Sequence, residues 1–339
     1  MTSVRAPGES RRFALPPVRG PWTDALCALL TGGDACTSGL IPPPGDVLAD
    51  DDLQMALYLC YELHYAEIEG VDTRMEWSPL VLMFRAALEA EFEHAVRAAV
   101  PARASTPSRI GSELQRLVRE DEGPALARYV ETQASEEQVR EHIIHRSAYQ
   151  LKEADPHAWA IPRLGGAAKV ALVEIQSDEY GGGRPERMHA TLFAKAMRGV
   201  KLDPSYGAYL DLLPGITLAT VSLMSWFGLH RRMRGALAGH LAVFEMTSSV
   251  PNRRYGNALR RLGYGPDVTD FYDEHVEADS VHESIAAWDL ADTLARIEPE
   301  LAPDVLFGAE ALLALEARWA QHLLDAWSED RTSLVRPSL

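Results

Sequence analysis

The stretch that decides the fold of this chain is DEHVEADSVHE, residues 273–283, in which two histidines and an aspartate recur at helical spacing. His275, Asp279 and His282 are separated by four and then three residues. At about 100° of rotation per residue, the three side chains fall within roughly 60° on one stripe of a helix. The stretch therefore predicts a helix that directs three metal-ligating side chains at a common point.

Two interpretations of this stripe stay open at the level of the sequence. In an acidic chain with 11 histidines, a helical pair of histidine and carboxylate is common on a solvated surface. The triple HxxxDxxH is rarer by chance, and imidazole with carboxylate is a donor set that suits a metal ion. Because one short helix cannot complete a metal site, the second interpretation requires ligands from other helices.

Helical periodicity extends through most of the chain. Apolar residues recur every three or four positions in LQMALYLCYELHYAEIEG, residues 53–70, and the proline-free run at 216–249 is too long for a strand. Ser135, followed by two glutamates, is a favoured helix start, and Pro156 is expected to end or bend that helix. With no alternating strand pattern and no repeat of 20–50 residues, we predict an all-α fold.

Composition narrows the class of protein. The net charge of −16 disfavours nucleic acid and anionic membrane surfaces as partners, and small molecules are the expected ligands. There is no apolar run of about 18 residues and no signal-peptide pattern, so we predict a cytoplasmic protein. We divide the chain into a flexible or irregular arm (1–50), an N-terminal helical segment packed on the core (51–130) and a main helical domain (131–330).

Further candidate ligands lie on other predicted helices. Glu245 is surrounded by apolar residues in GALAGHLAVFEMTSS, and a buried carboxylate without a partner is costly, so a cation is expected to compensate it. His189 lies near the apolar face of its helix, flanked by Glu179 and Glu186. A lone histidine on such a face is more often a satisfied core residue, but two nearby glutamates favour a ligand.

Four segments together resemble the heme-oxygenase-like diiron oxidase and oxygenase superfamily, also described as iron-containing redox enzymes. They are YQLKEADPHAWAIPRL (149–164), VEIQSDEYGGGRPERMHATLF (173–193), LAVFEMTSSVPNRRYG (241–256) and FYDEHVEADSVHESIA (271–286). The resemblance covers residues 149–294 and implies a heme-oxygenase-like helical bundle with additional N-terminal helices. It also implies six ligands, with Glu153 as an added carboxylate and Glu186 as an alternative to Glu179: Glu179, His189, Glu245, His275, Asp279 and His282.

What the resemblance implies for chemistry is specific. Two iron ions, and no heme, would react with O₂ as cosubstrate. Three carboxylates and three neutral imidazoles would bring −3 against +4 from two ferrous ions. The expected reactions are N-oxygenation, desaturation or oxidative C–C cleavage of an amino acid or a fatty acid. An external electron donor and a homodimer are options that the sequence leaves open.

Three other functions compete with this one. A ferritin-like diiron protein would use two ExxH motifs, here Glu91–His94 and Glu186–His189, and would leave the 275–282 stripe unused. A dinuclear hydrolase would use the same ligands to activate water, and a non-catalytic helical binding module would hold no stoichiometric metal. Two arginine groups, at 231–234 and 253–261, either clamp a substrate carboxylate or pair with acidic residues on the surface.

Overall fold

The computed structural model describes residues 11–33, 45–101, 103 and 109–337, apart from the side chains of Asp279 and Ser280. Within these residues the secondary structure is almost entirely helical, which confirms the all-α prediction. The sheet found there is a parallel pair of two-residue strands, β1 (Arg12–Phe13) and β2 (Glu67–Ile68). No helix in this part of the chain combines the length and apolarity needed to cross a membrane.

The helices before residue 133 form the N-terminal part of the bundle. They are α1 (Pro21–Leu30), α2 (Asp51–Glu62), α3 (Pro79–Ala99), α4 (Ile110–Arg119) and α5 (Leu126–Thr132). Of these, α2 packs against α1, α3 and the later helix at residues 215–229, so it lies inside the bundle. All but two of its residues are buried.

The helices that follow form the main bundle. They are α6 (Glu136–Gln150), α7 (Asp155–Ala158), α8 (Gly166–Glu179), α9 (His189–Gly199), α10 (Gly215–Leu229), α11 (Arg234–Met246), α12 (Ser249–Arg261), α13 (Pro266–Ser284), α14 (Thr293–Ile297) and α15 (Ala302–Ser328). A π-helical segment, Ile285–Asp292, joins α13 to α14, so the chain is helical from residue 266 to 297. Such segments are frequent at functional sites.

The region predicted as an irregular arm, residues 1–50, contains an ordered helix. In α1, Trp22, Leu26 and Leu30 recur every four residues and are buried as one apolar face. The carboxylate of Asp52 accepts hydrogen bonds from the backbone N–H groups of Trp22 and Thr23, and so ties the start of α1 to α2. The prediction was therefore wrong for residues 21–30. Residues 1–10 and 34–44 lie outside the described part, and the division into three segments stays a prediction.

Local chemistry explains how α6 begins and ends. The Ser135 hydroxyl accepts a hydrogen bond from the Gln138 N–H, and the Gln138 side chain accepts one from the Ser135 N–H, which confirms the predicted cap. The helix ends at Gln150, before Pro156, and Ala154 adopts a left-handed conformation with φ of 76°. Glu153, the residue just before Ala154 in this turn, is buried.

The run at 216–249 forms two helices. The chain breaks at His230, whose backbone is extended, and a short 3₁₀ turn follows before α11 begins. The sequence has no proline at this position, so the end of the helix could not be predicted from a helix-breaking residue. The turn lets α11 pack against α13 and α15 as a separate helix.

Two glycines allow α11 and α15 to approach closely. A Cβ atom at Gly239 would lie 1.8 Å from the Val305 carbonyl oxygen, and one at Gly308 would lie 1.9 Å from the Ala236 carbonyl oxygen. Both neighbours are backbone atoms, so they cannot yield by a side-chain rotation. The two helix axes can therefore pack this closely only while these positions lack a side chain.

We expect Gly308→Ala to lower the free energy of unfolding by about 1–3 kcal/mol, because α15 must move away from α11. Chemical denaturation measures this change. The control is Gly256→Ala in α12, where the nearest neighbour of the new Cβ would be the flexible end of Arg260 at 3.1 Å, followed by ordinary contacts at 3.5 Å or more. That variant should be neutral or slightly more stable, since alanine favours helix. Equal stability of both variants would contradict the close-packing argument.

Candidate metal centre

Five segments bring six buried ligand-type side chains together in the middle of the bundle. The side chains come from the turn after α6, the last residue of α8, the first residue of α9, the last turn of α11 and two positions of α13 that lie seven residues, about two turns, apart. In that order they are Glu153, Glu179, His189, Glu245, and the pair His275 and His282. All six are at most 8% exposed to solvent, which is rare for carboxylates unless they are paired or bind a cation.

One group of three consists of Glu153, His189 and His275. One donor atom from each lies within 4.8 Å of the others, the spacing expected around a single metal ion. Glu153 Oε1 is 3.3 Å from His275 Nε2, and Glu153 Oε2 is 3.9 Å from His189 Nδ1. The two imidazole rings have centroids 4.2 Å apart.

A second group of three consists of Glu179, Glu245 and His282, and its donor atoms also lie within 4.8 Å of one another. His282 Nδ1 is 3.5 Å from Glu245 Oε2 and 3.8 Å from Glu179 Oε1. Each group therefore offers both nitrogen and oxygen donors.

Glu179 connects the two groups. Its Oε2 is 2.8 Å from His189 Nδ1 in the first group, while its Oε1 faces His282 in the second. A carboxylate that directs one oxygen at each of two neighbouring sites has the geometry of a bridging ligand. The two groups thus form one centre.

Hydrogen bonds orient two of the imidazoles. His275 Nδ1 lies 2.7 Å from the Phe271 carbonyl oxygen, which can only accept, so Nδ1 donates to it and Nε2 is the nitrogen that faces Glu153. His282 Nε2 lies 3.1 Å from Asp178 Oδ2, so its Nδ1 faces the second group. Metal-binding histidines commonly donate the second N–H to a carbonyl or carboxylate in this way.

The electrostatics of the centre favour a bound cation. Burial raises the pKa of Glu245 above its usual value, and the nearby carboxylate of Glu179 adds to that effect, although His282 opposes it. Burial disfavours the charged form of His282, but Glu245, Asp178 and Glu179 outweigh it and raise its pKa to about 9. Three buried carboxylates thus attract positive charge, as protons or as metal ions.

Unpaired atoms also support a ligand in this centre. Glu153 Oε2 and His282 Nδ1 are buried and have no hydrogen-bond partner among the described residues. The same holds for both amide atoms of Gln176, which lines an adjacent cavity of about 10 Å³, room for roughly one water molecule. Mixed nitrogen and oxygen donors suit divalent transition metals such as iron. The residues present therefore fit a pair of such ions.

Two of the predicted ligands, Glu186 and Asp279, are not among these six side chains. Glu186 lies exposed on the turn Pro185–Arg187 and joins neither group, so the structure favours Glu179 over this alternative. The Asp279 side chain lies outside the described residues, although its backbone belongs to α13. His94 of the ferritin-like pattern is exposed on α3, and neither group contains it.

Sequence reasoning missed three residues around the centre. Asp178 contacts His282, while Gln176 and Tyr149 line the cavity beside Glu153, Glu179 and Glu245. Burial and these three carboxylates raise the pKa of Tyr149 well above its usual value, so its hydroxyl stays protonated. The adjacency of Asp178 to Glu179 was the one visible signal, because the roles of Gln176 and Tyr149 depend on helix packing.

Comparison with known proteins agrees with this centre. A nitrosourea synthase from Streptomyces achromogenes subsp. streptozoticus is 24% identical over 162 residues, which is 47% of this chain and 34% of that protein. The match therefore spans about a third of the relative's length. Residues 140–317, more than half of the chain, match the family described as iron-containing redox enzyme, and this range includes all six clustered side chains. The chain belongs to this family of iron-containing redox enzymes.

Proposed function

We propose that the protein is a non-heme diiron enzyme that uses O₂ to oxidise a small organic substrate. One iron would be held by Glu153, His189 and His275, and the other by Glu245 and His282, with Glu179 shared between them. Asp279 completes the proposed set of ligands. The proposal includes an external electron donor. It does not depend on whether the protein is a monomer or a homodimer.

The observation that carries the proposal is the placement of Glu179 between two groups of mixed nitrogen and oxygen donors. A single-metal site would not need the second histidine of α13. A binding module with surface histidines would not bury three carboxylates together. Two-metal catalysis, in contrast, uses neighbouring ions that share a ligand.

The chain's own residues would orient the substrate and exclude water. Ferrous iron supplies the electrons and the open coordination positions with which O₂ is bound and reduced. The buried cavity beside the centre keeps bulk water away, while the Gln176 amide offers a donor and an acceptor to whatever occupies it. The protonated Tyr149 hydroxyl lies at the same cavity and can donate a hydrogen bond.

The decisive test is anaerobic loading with Fe(II), metal analysis and then exposure to O₂. We expect two irons per chain and consumption of O₂ that depends on bound iron. A dinuclear hydrolase, which would activate water on the same ligands, predicts bound metal without O₂ consumption. A preparation that binds no more iron than an unrelated helical protein would refute the proposal.

Glu179→Gln tests the shared carboxylate. An amide keeps the shape of the side chain but cannot bridge two cations, so we expect the iron content to fall from two ions per chain to one or none. Glu186→Gln makes the same chemical change at an exposed position only seven residues away and should leave the content at two. Equal iron contents in these two variants would count against a bridging role.

Asp178→Ala removes the acceptor that orients His282. We expect iron at the second group to bind about 10-fold more weakly, at the low end of such effects because Asp178 is 61% exposed. Competition with a chelator measures the affinity. The matched control is Glu174→Ala, an exposed carboxylate one turn earlier on α8, and its affinity should equal that of the parent protein.

We expect Gln176→Leu to change the stability and the activity of the protein in opposite directions. Removing an unsatisfied buried amide should raise the free energy of unfolding of the metal-free protein by about 1–3 kcal/mol, while O₂ consumption by the iron-loaded protein slows. Gln54→Leu is the contrasting control, since Gln54 Nε2 donates to the Val47 carbonyl oxygen at 2.9 Å, although Gln54 Oε1 has no hydrogen-bond partner among the described residues. That change should destabilise the protein. Loss of stability in Gln176→Leu would mean that its amide has a partner.

A further inference from the structure

Two buried histidines outside the candidate ligand groups contact each other. His157 in α7 and His240 in α11 are each 1% exposed, and His157 Nε2 lies 3.1 Å from His240 Nδ1. The Phe244 ring lies beside both imidazoles. It is stacked on His240 with a centroid distance of 6.0 Å, and its centroid is 6.3 Å from that of His157. Neither histidine belongs to either group of ligand-type side chains.

The contact between these histidines connects two small cavities. His157 lines the cavity of about 10 Å³ beside the metal centre, together with Glu153, Glu179 and Glu245. His240 lines a second cavity of about 10 Å³. Each cavity has room for roughly one water molecule. Because each histidine lines only one of the two, the contact between their nitrogens joins one cavity to the other.

The second small cavity adjoins a larger one that reaches the surface. Arg146 and Glu316 line both the second cavity and a cavity of about 220 Å³ between α5, α6, α11, α12 and α15. The lining of the larger cavity includes Asp121 and Gly123, which are exposed. Water can therefore enter the larger cavity from outside and reach the wall that it shares with the second one.

The proposed chemistry consumes protons at a centre that excludes bulk water. When one oxygen atom of O₂ enters a substrate bond, the other leaves as water, which takes up two electrons from the external donor and two protons. The ligand imidazoles cannot deliver these protons, because a nitrogen that binds a metal ion is not free to carry a proton. A histidine outside the ligand groups can do so.

Burial keeps both rings of the pair neutral. It lowers the pKa of His157 to about 3, and it lowers the pKa of His240 well below its usual value, to which the neighbouring His157 contributes. A neutral imidazole has one N–H group and one nitrogen that accepts. It can therefore take up a proton at one nitrogen while it releases another from the second. When both rings do this together, neither holds a full charge in its buried surroundings.

We propose that His157 and His240 form a proton relay that supplies the metal centre from the second cavity. Water in that cavity would give a proton to His240, the N–H proton of the contact would move from His240 to His157, and His157 would release its other proton beside the centre. One proton thus moves inward and no electron is transferred. A second proton can pass after the contact opens and water returns both rings to their first tautomers. The use of these protons rests on the proposed function, but the relay is tested without iron.

Proton exchange measures the relay directly. In protein with ¹⁵N-labelled histidine, either metal-free or loaded with diamagnetic Zn(II), NMR follows the exchange of each imidazole N–H with water. We expect the N–H groups of His157 and His240 to exchange roughly 10-fold faster or more than that of His145. His145 is also 1% exposed, but it bonds to Thr217 and Ser333 and lines none of the three cavities. Exchange as slow as that of His145 would overturn the proposal.

His240→Asn keeps a polar group near the position of Nδ1 but cannot pass a proton from one nitrogen to another. We expect the His157 N–H to exchange as slowly as that of His145, and O₂ consumption by the iron-loaded protein to slow about 10-fold. Iron content should stay at two ions per chain. The matched control is His142→Asn, because burial lowers the pKa of His142 to about 3 as well, yet His142 lines none of the three cavities. Slower exchange at His157 in this control would contradict the relay.

Rescue by small molecules separates a relay from a packing role. In His240→Ala, imidazole can fill the vacated space and pass protons, whereas N-methylimidazole fills it but lacks the N–H group. Both are added to the metal-free protein, so that neither binds iron. We expect imidazole alone to restore fast exchange at His157. Equal restoration by the two molecules would assign a packing role to His240 and overturn the proposal.

Tyr149 offers the competing route, because it lines all three cavities. Tyr149→Phe removes its hydroxyl and should leave exchange at His157 unchanged. If this change slows exchange at His157 and His240→Asn does not, the route runs through the tyrosine and the proposal fails. Fast exchange in a protein that binds no iron would refute the proposed function alone. Slow exchange in a protein that binds two irons and consumes O₂ would refute the relay alone.

Discussion

The burial of three carboxylates against one another is the constraint on which the rest of this structure depends. Glu153, Glu179 and Glu245 are each at most 8% exposed, and among the described residues no arginine or lysine lines the cavity beside them. Without compensating positive charge, such a cluster would oppose folding by the cost of desolvating each charge. In the proposed centre, divalent cations would supply that charge and the three imidazoles would bind them as neutral donors. The proposed metal centre thus follows from the electrostatics as well as from the family.

The bundle is arranged so that this cluster forms from distant segments. The turn between α8 and α9 lets Glu179 and His189 meet although nine residues separate them. The close approach of α11 to α15 at Gly239 and Gly308 holds the helix that carries Glu245. The contact between α11 and α15, which lies outside the cluster, therefore helps to determine where the clustered side chains lie. A shift of α11 would move one carboxylate away from the two histidines of α13.

The candidate metal centre and a larger cavity of about 220 Å³, between α5, α6, α11, α12 and α15, differ in size and lining. The centre is tight and buried, which suits the exclusion of water, while the larger cavity is lined by both apolar and charged groups. Tyr149 and Phe244 line both cavities, and their rings pack nearly perpendicular to each other with centroids 5.4 Å apart. The family relationship identifies an iron-containing redox enzyme.

The amino-acid sequence alone determined the helical class, because apolar residues repeat at the period of a helix, and it determined the candidate ligands on α13, because four- and three-residue spacing places them on one face. It also indicated Glu245 and His189 with its flanking glutamates through their apolar surroundings, and Glu153 through resemblance to a family. Only the tertiary structure placed Glu179, and not Glu186, among the clustered side chains, divided these side chains into two groups and placed Gln176 and Asp178 beside them. These outcomes depend on how helices far apart in the chain pack together, and neither periodicity nor composition encodes that distance.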